Sequence, residues 1–209
     1  MTTRATDWDA YYQRPAAPTK ITRKISEKKI LGLLADRLPS ASVCECGGAN
    51  SCFIDAFLAR GDVLRYHVID YNEFGVSLLA ARFTGSPTVS WEVGNLLEYK
   101  ATEQFDLVYS VGLIEHFDQE GTSACVKAHF DLCRPGGVVL MTFPTPTALY
   151  RGIRGVAEVT GKWAFHDERP LSFAEVRAAA HECKSDELHS SINWAIGLTQ
   201  GYLLFQKPL

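Results

Sequence analysis

Apolar residues along the chain follow two periods, one typical of strands and one typical of helices. Short apolar runs predict strands over 42–46, 64–70, 88–93, 105–112 and 138–143. Helical spacing after three of these runs predicts helices over 51–60, 72–83 and 122–133. Strands that alternate with helices indicate βαβ units and a parallel sheet covered by helices on both faces.

The first 38 residues precede this alternation. Residues 1–18 are polar and aromatic with several proline breaks, so we interpret them as an arm. Residues 19–38 carry apolar residues at helical spacing and predict a helix that Pro39 ends. The arm contains three large aromatic residues within five positions, a density that favours a lid over a mobile tail. These residues are Trp8, Tyr11 and Tyr12.

The last third of the chain follows a different pattern. Residues 144–170 are irregular apart from a short helix around 150–159, and we expect them to lie over a cleft. A helix is predicted over 172–183, and strands over 187–196 and 201–207 predict an antiparallel hairpin that closes the sheet. All 209 residues are therefore expected to form one doubly wound α/β domain around a seven-stranded, mostly parallel sheet.

Composition and charge narrow the class of protein. The chain is 46% hydrophobic and 22% charged, as ordinary soluble globular domains are. Lys and Arg total 21 against 24 for Asp and Glu, and a net charge of -3 disfavours binding to a nucleic-acid backbone. No apolar run approaches the ~20 residues of a membrane span. The N-terminus also lacks the apolar core of a signal peptide.

The six cysteines fit a reducing compartment. Most lie in apolar runs or beside a glycine turn, as small buried hydrophobic residues do, so we expect a cytoplasmic protein without a disulfide framework. Cys44, Cys46 and Cys52 could be read as a metal cluster. However, Glu45 separates the first two, and no second CxxC motif or nearby histidine completes a ligand set. We therefore expect no metal.

The first strand-to-helix turn, VCECGGANS, is the first candidate ligand site. In open α/β sheets, ligands bind at the carboxyl ends of the strands where the strand order reverses. Gly47 and Gly48 allow close backbone approach, and the next helix offers free N–H groups. Glu45 would repel a pyrophosphate and attract a cationic or zwitterionic ligand, and the GxGxxG spacing of NAD sites is absent. The alternative is a glycine turn with a structural role alone.

Other strand ends carry polar groups that suit a nucleoside. Asp70 ends the second strand, where a carboxylate can accept two hydrogen bonds from a ribose diol. It could instead cap the next helix, a role that Asn72 could equally fill. Asn95 follows the third strand, and its amide can donate and accept as an adenine edge requires, although it could simply form a turn. Ser110 and Val111 lie at the end of the fourth strand, with Glu115 and His116 just beyond.

Taken in order, these motifs resemble those of the class I S-adenosylmethionine-dependent methyltransferases, especially the small-molecule type. Five segments within about residues 40–143 carry the resemblance: VCECGGANS, HVIDYN, VGNLLEY, FDLVYSVGLIEHF and LCRPGGVVLMTF. Ala49 and Ser51 replace glycines of the usual motif, and Asn95 stands where the family commonly has Asp. The resemblance implies a Rossmann-like fold and S-adenosyl-L-methionine as cofactor. It also implies methyl transfer to a hydroxyl or amine of a sugar, lipid-linked glycan or secondary metabolite.

Carried over residue by residue, the resemblance implies a cofactor site along the strand ends. Glu45 and the glycine backbone would hold the methionine moiety, and Asp70 would bind the ribose hydroxyls. Asn95 and the Leu96 backbone N–H would contact the adenine, while the Ser110 carbonyl would face the methionine amino group. The expected cofactor-binding residues are Tyr12, Glu45, Gly47, Gly48, Asn50, Asp70, Tyr71, Asn95, Leu96 and Ser110.

Two histidines are candidates for the base that takes the proton of the acceptor. His116 follows the fourth strand, near the expected position of the methyl group, and His166 lies in KWAFHDERP over the cleft. His116 could instead pack a helix start. The segment around His166 could be a loop in which Asp167 caps helix 172–183. His67, in an apolar strand, is interpreted as a core histidine.

Residues 149–162 combine apolar side chains with Arg151, Arg154 and Lys162. They could form a substrate lid for a phosphate or carboxylate group, an ordinary surface helix, or a contact with an anionic membrane. The aromatic arm is expected to fold over the cofactor, with Tyr12 bonding its carboxylate.

The expected partner is a small-molecule acceptor. Rival interpretations are another nucleotide-dependent enzyme on the same fold, such as a dehydrogenase, and a non-catalytic subunit that binds the cofactor.

Overall fold

A single sheet of seven strands forms the centre of the structure. A computed structural model describes residues 5–13, 19–35, 37 and 41–209. The strands are β1 (Ala41–Cys46), β2 (Val63–Asp70), β3 (Val89–Val93), β4 (Phe105–Val111), β5 (Cys133–Pro144), β6 (Asp186–Asn193) and β7 (Gln200–Gln206). Their order in the sheet is β3-β2-β1-β4-β5-β7-β6.

Helices pack against the sheet, and most of them begin at a polar residue that accepts a backbone N–H. Asn72, Asp118, Thr147 and Ser172 each cap a helix in this way. The helices are α1 (Trp8–Gln13), α2 (Thr19–Leu34), α3 (Ile54–Leu58), α4 (Glu73–Phe83), α5 (Gln119–Leu132), α6 (Ala148–Val159) and α7 (Phe173–Glu182).

The topology confirms the doubly wound fold that the alternation predicted. β1 pairs in parallel with β2 on one side and with β4 on the other, so the strand order reverses between β1 and β4. β3 and β5 extend the parallel sheet in the two directions. The C-terminal hairpin is antiparallel, with β7 between β5 and β6.

Two apolar clusters cover the two faces of the sheet. One contains Cys44 and Cys46 of β1 together with Cys125 and Cys133. The other brings Ile30 and Leu34 of α2 and Phe57 of α3 against the opposite face. All six cysteines are free, and four of them are fully buried, so they serve as small core residues.

Several predicted boundaries were wrong near the N-terminus. α2 ends at Leu34, before the predicted end at residue 38, which lies with Pro39 outside the described residues. Ile21, one of the apolar residues within the predicted helix, is 70% exposed. Residues 8–13 of the arm form a helix that the sequence did not predict. α3 occupies only Ile54–Leu58 instead of 51–60, because the turn continues through Ser51, whose hydroxyl accepts the backbone N–H of Phe53.

Other boundaries moved in the second half of the chain. α5 begins at Gln119, three residues earlier than predicted, because Asp118 accepts the backbone N–H of Gly121. β5 begins at Cys133, so the RPGG segment lies within the strand rather than in a separate turn. β6 ends at Asn193, and residues 194–199 form the connection that was predicted as strand up to 196.

Two glycines give a direct test of this packing. A Cβ on Gly137 would lie 2.7 Å from Cys133 Sγ and 2.9 Å from the Asp106 carbonyl oxygen, whereas a Cβ on Gly152 in α6 would meet nothing within 4 Å. We expect Gly137→Ala to lower the free energy of unfolding by about 1–3 kcal/mol. Gly152→Ala should raise it by about 0.5–1 kcal/mol. Urea denaturation measures both; a neutral Gly137→Ala would contradict the packing.

Candidate active site

A cavity of about 580 Å³ opens at the carboxyl ends of the strands where their order reverses. Its volume lies within the range of small-molecule sites. The turns after β1, β2, β3 and β4 form its floor, and α1, α2 and residues 165–168 form its walls. The sheet topology therefore brings the predicted strand-end residues to one cleft.

The glycine turn after β1 is shaped by two close approaches. Gly47 has a φ of +72°, a left-handed conformation that favours glycine, and a Cβ there would lie 2.9 Å from the side chain of Leu113. A Cβ on Gly48 would lie 2.5 Å from the carboxyl carbon of Glu45. Both glycines are thus required by the turn itself, and both line the cleft.

Glu45 lies beneath this turn with almost no exposed surface. The Tyr66 hydroxyl donates to its Oε2 at 2.5 Å, and Tyr66 is bonded in turn to the Tyr109 hydroxyl. Burial raises the pKa of Glu45 to about 7, although the hydrogen bonds oppose the rise. The carboxyl group therefore stands at the border between neutral and ionised forms at physiological pH, and a cation in the cleft would favour the ionised form.

Asp70 connects the turns after β1 and β2. Its Oδ2 accepts the backbone N–H of Ala49 at 3.0 Å, and its Oδ1 accepts that of Asn72 at 2.8 Å. Burial raises the pKa of Asp70, while these N–H donors oppose the rise. Asn72 caps α4 by accepting the N–H of Gly75, so Asp70 does not serve as that cap. A carboxylate has about four lone-pair positions, and the positions that these two N–H groups leave free can accept hydrogen bonds from ligand hydroxyls.

The remaining predicted cofactor residues lie around the same floor, with one exception. Asn50, Tyr71, Asn95 and Leu96 all line the cleft. Asn95 Oδ1 also accepts the backbone N–H of Leu97. Asn95 therefore forms the turn that was its alternative role, and its exposed amide still lines the cleft. The Tyr71 ring is more than half exposed at the cleft edge.

Ser110 does not reach the lining of the cleft. It is fully buried in β4, and its hydroxyl has no hydrogen-bond partner. The next two residues, Val111 and Gly112, line the cleft instead. The sequence put both Ser110 and Val111 at the strand end, but only Val111 reaches the cleft, because an apolar run does not reveal where the backbone leaves the sheet.

The arm lies across the cleft. The Thr6 backbone N–H donates to Asp167 Oδ2 at 3.1 Å and its hydroxyl donates to Oδ1, while Asn72 donates to Asp9 at 2.7 Å. The Tyr12 ring packs on α4, where a Cβ on Gly75 would lie 2.8 Å from it. α1 is therefore docked on the wall of the cleft at several separate points.

Tyr12 faces the floor of the cleft from this docked position. Burial, followed by the charge of Asp70, raises the pKa of Tyr12 well above its usual range, so the phenol stays neutral and can donate a hydrogen bond. The Arg23 guanidinium donates to the Tyr11 hydroxyl at 2.9 Å. The arm thus presents a phenol donor and aromatic surface to any bound molecule.

The two candidate bases have different environments. His116 lines the cleft, and its Nδ1 lies 2.9 Å from Asp167 Oδ1. Burial lowers the pKa of His116, although the Asp167 bond opposes the fall, so the neutral form prevails near pH 7. His166 is exposed and lies outside the lining, whereas Phe165 and Asp167 on either side of it face the cleft.

Asp167 has a role that the sequence did not assign. Ser172, not Asp167, caps α7, so the capped-loop interpretation was wrong. Burial raises the pKa of Asp167, but the donors on Thr6 and His116 outweigh it and hold the pKa below its usual value. An ionised carboxylate beside Nδ1 favours the tautomer that donates Nδ1–H and leaves the Nε2 lone pair available.

The sequence assigned no role to two further carboxyl groups, one buried and one partly buried. Glu115 and Glu168 line the cleft beside His116. The EH pair of the fourth-strand motif was the available signal for Glu115, while no sequence pattern connects Glu168 to it. Within the described part of the chain, Glu115, His116 and Glu168 are also the one group with metal-ligand spacing.

The basic segment over the cleft folds as α6. Tyr150 is buried against the cleft, and Arg154 binds Glu158 and the backbone carbonyl of Glu168. The apolar residues Val156 and Val159 are exposed. No helix in the described part of the chain is both long and apolar enough to cross a bilayer.

Comparisons with known proteins agree with this geometry. Residues 43–137 match the family model described as a methyltransferase domain. No curated protein sequence matches the chain. Solved structures share the fold at low sequence identity. N-methyltransferase NodS from Bradyrhizobium japonicum WM9, in complex with S-adenosyl-L-homocysteine, is 15% identical with a TM-score of 0.68. The superposition covers 89% of this chain and 87% of NodS.

Two further structures extend the comparison. Magnesium protoporphyrin IX methyltransferase from Synechocystis PCC 6803 is 15% identical, with a TM-score of 0.73 over 93% of this chain and 89% of its own. The 1,6-didemethyltoxoflavin-N1-methyltransferase of Burkholderia thailandensis is 17% identical, with a TM-score of 0.70 over 96% of this chain and 84% of its own. Residues 43–137 thus match a methyltransferase domain, and the chain shares the fold of these solved methyltransferases.

Proposed function

We propose that the cleft binds S-adenosyl-L-methionine and that the enzyme transfers its methyl group to a hydroxyl or amine of a small molecule. The methyltransferase-domain match and the shared fold support methyl transfer, and the solved relatives described above were crystallised with the demethylated cofactor. The acceptor classes that we propose are a sugar, a lipid-linked glycan and a secondary metabolite.

The residues of the cleft suit this cofactor. Asp70 carries the proposal: it is a buried carboxylate at the end of β2, each of its oxygens receives one backbone N–H, and each retains capacity for one hydroxyl of a ribose diol. Glu45 lies under the glycine turn, where a sulfonium or ammonium group would stabilise its ionised form. Asn95 and Leu96 are available for the adenine edge.

S-adenosyl-L-methionine supplies a methyl group already activated by its sulfonium, so the protein has two tasks. The first is alignment of the acceptor, which converts an encounter into an oriented displacement. The second is removal of the acceptor proton. His116 can accept it at Nε2, because Asp167 orients the ring through Nδ1 and burial keeps the imidazole neutral.

The rival functions are less consistent with the cleft. A dehydrogenase would place a pyrophosphate at the glycine turn, where the Glu45 carboxyl lies within contact distance of Gly48. A non-catalytic subunit would have no use for an oriented histidine in the same cleft as Asp70. Calorimetric titration with S-adenosylmethionine, S-adenosylhomocysteine and NAD separates the methyltransferase from the dehydrogenase, and an assay for methyl transfer separates it from the non-catalytic subunit.

The ribose assignment predicts a specific loss of affinity. We expect Asp70→Ala to weaken binding of S-adenosylmethionine by about 1.5–3 kcal/mol, the range for hydrogen bonds to a charged group. Isothermal titration calorimetry measures the dissociation constant. Asp62→Ala, at a partly buried ion pair with Arg60 outside the lining of the cleft, is the matched control and should bind normally. An unchanged dissociation constant in Asp70→Ala would remove the ribose assignment.

The position of the arm predicts that it acts as a lid. Trp8→Ala removes the ring that packs 5.0 Å from His116, between centroids, and should loosen the docked arm. We expect turnover to fall by about tenfold, with little change in the melting temperature of the cofactor-free protein.

Hydrogen exchange provides the independent readout for this lid. In the wild type, exchange of residues 5–13 should slow when S-adenosylmethionine is added, and Trp8→Ala should reduce that protection. Equal exchange with and without cofactor, together with unchanged turnover in Trp8→Ala, would show that the arm is a tail without a role in catalysis.

A further inference from the structure

One end of the cleft carries more carboxyl groups than the proposed chemistry uses. Ligand atoms of Glu115, His116 and Glu168 lie within 4.8 Å of one another. We name these three side chains the carboxylate cluster. Glu115 is 2% exposed, and its Oε2 has no hydrogen-bond partner. A buried acceptor without a donor is destabilising, so the arrangement points to a donor supplied by a ligand.

Aromatic rings surround the same end of the cleft. The ring centroid of Trp8 lies 5.0 Å from that of His116 and 6.0 Å from that of Phe165. Tyr11 packs against Phe165 at 5.4 Å. Faces of aromatic rings attract cations, and such rings beside carboxylates form the usual binding site for organic ammonium groups.

Carboxyl groups outnumber basic groups along the whole cleft, as they do at this end of it. Among the described residues that line it, five carry carboxyl groups and one, Arg23, carries a guanidinium. A second guanidinium, that of Arg154, lies outside the lining and 4.0 Å from Glu168 Oε1. The Arg23 guanidinium donates to Tyr11. The five carboxyl groups belong to Glu45, Asp70, Glu115, Asp167 and Glu168.

We infer that the carboxylate cluster binds the acceptor as an organic ammonium ion and that the reaction is therefore N-methylation. The inference rests on the proposed function and narrows its acceptor from a hydroxyl or amine to an amine. An ammonium group offers up to three N–H donors, enough for Glu115 Oε2 and a Glu168 oxygen together. The rings of Trp8 and Phe165 enclose the carbon next to the nitrogen.

A hydroxyl acceptor fits this environment less well. It is neutral and offers one donor, so it can donate to only one of the two glutamates and supplies a partner charge to neither. Burial raises the pKa of Glu168 to about 7 and that of Glu115 well above its usual value, and a cation beside them favours their ionised forms. An amine thus satisfies the cluster where an alcohol leaves it uncompensated.

A divalent metal is the other cation that these side chains could bind. The Tyr150 hydroxyl already donates to Glu168 Oε1, and the Arg154 guanidinium lies 4.0 Å from the same oxygen. That oxygen is therefore partly neutralised by protein groups, and the aromatic rings would contribute nothing to a metal. The geometry favours the organic cation.

The chemistry balances with the groups present. The bound ammonium first transfers one proton to Nε2 of His116, which gives the nitrogen a lone pair. That lone pair forms the bond to the methyl carbon as the carbon–sulfur bond breaks, and the electron pair of the broken bond stays on sulfur. The product is a methylated ammonium ion, and the proton on His116 passes to solvent.

The test compares amines with matching alcohols on the full-length protein. The probes are benzylamine, 2-phenylethylamine and glucosamine, paired with benzyl alcohol, 2-phenylethanol and glucose. Calorimetry with S-adenosylhomocysteine bound should show the amine of each pair binding about tenfold or more tightly than its alcohol. Radiolabelled methyl groups from S-adenosylmethionine should appear on nitrogen.

Variants of the cluster should remove this preference. In Glu115→Gln the ratio of amine to alcohol affinity should fall close to one, while the dissociation constant of S-adenosylmethionine stays unchanged. Glu168→Gln is the second variant, should the first fail to fold by circular dichroism. Glu120→Gln, exposed on α5, is the matched control and should keep the preference.

Three results would overturn the assignment. They are equal affinity for amines and alcohols in the wild type, methyl transfer to oxygen alone, and tight binding of manganese chloride in equilibrium dialysis that Glu115→Gln abolishes. Failure of the proposed function looks different, because the wild type would then not bind S-adenosylmethionine at all. Normal cofactor binding without any amine preference disproves the amine assignment alone.

Discussion

The Asp70 carboxylate is the interaction on which the floor of the cleft depends. Parallel pairing of β1 and β2 brings the ends of the two strands side by side, but each strand is then followed by a turn that leads into its own helix. By accepting the N–H groups of Ala49 and Asn72, Asp70 fixes both turns relative to each other. The same group thus defines the shape of the site and faces the ligand, and the cost of burying it is met by backbone donors.

The sheet and the cofactor side of the site were predictable because they depend on short-range patterns. Strand and helix periods specified the doubly wound order, and that order brings Glu45, Asp70 and Asn95 to one edge whatever the surrounding details. Element boundaries were less predictable, since single side chains decide them. Asp118 starts α5 early, and Ser51 delays α3.

The acceptor side could not be predicted for the opposite reason. It is assembled by contacts between distant segments: Thr6 meets Asp167 across 161 positions, and His116 meets Asp167 across 51. The periodic spacing of apolar residues does not link residues that lie so far apart in the sequence. The sequence directed attention to His166, yet the chain turns so that its neighbour Asp167 faces the cleft instead. Ser110 likewise stays within the sheet.

The shared carboxylate of Asp167 has a consequence for the end of the catalytic cycle. It accepts from Thr6 of the arm and orients His116, so arm position and histidine protonation are thermodynamically linked. When the arm leaves, Asp167 loses the Thr6 donors and His116 regains water, and both changes favour the imidazolium. By reciprocity, an imidazolium formed during turnover favours the open arm. The proton taken from the acceptor would thus act as a signal that methyl transfer is complete and would promote release of the products.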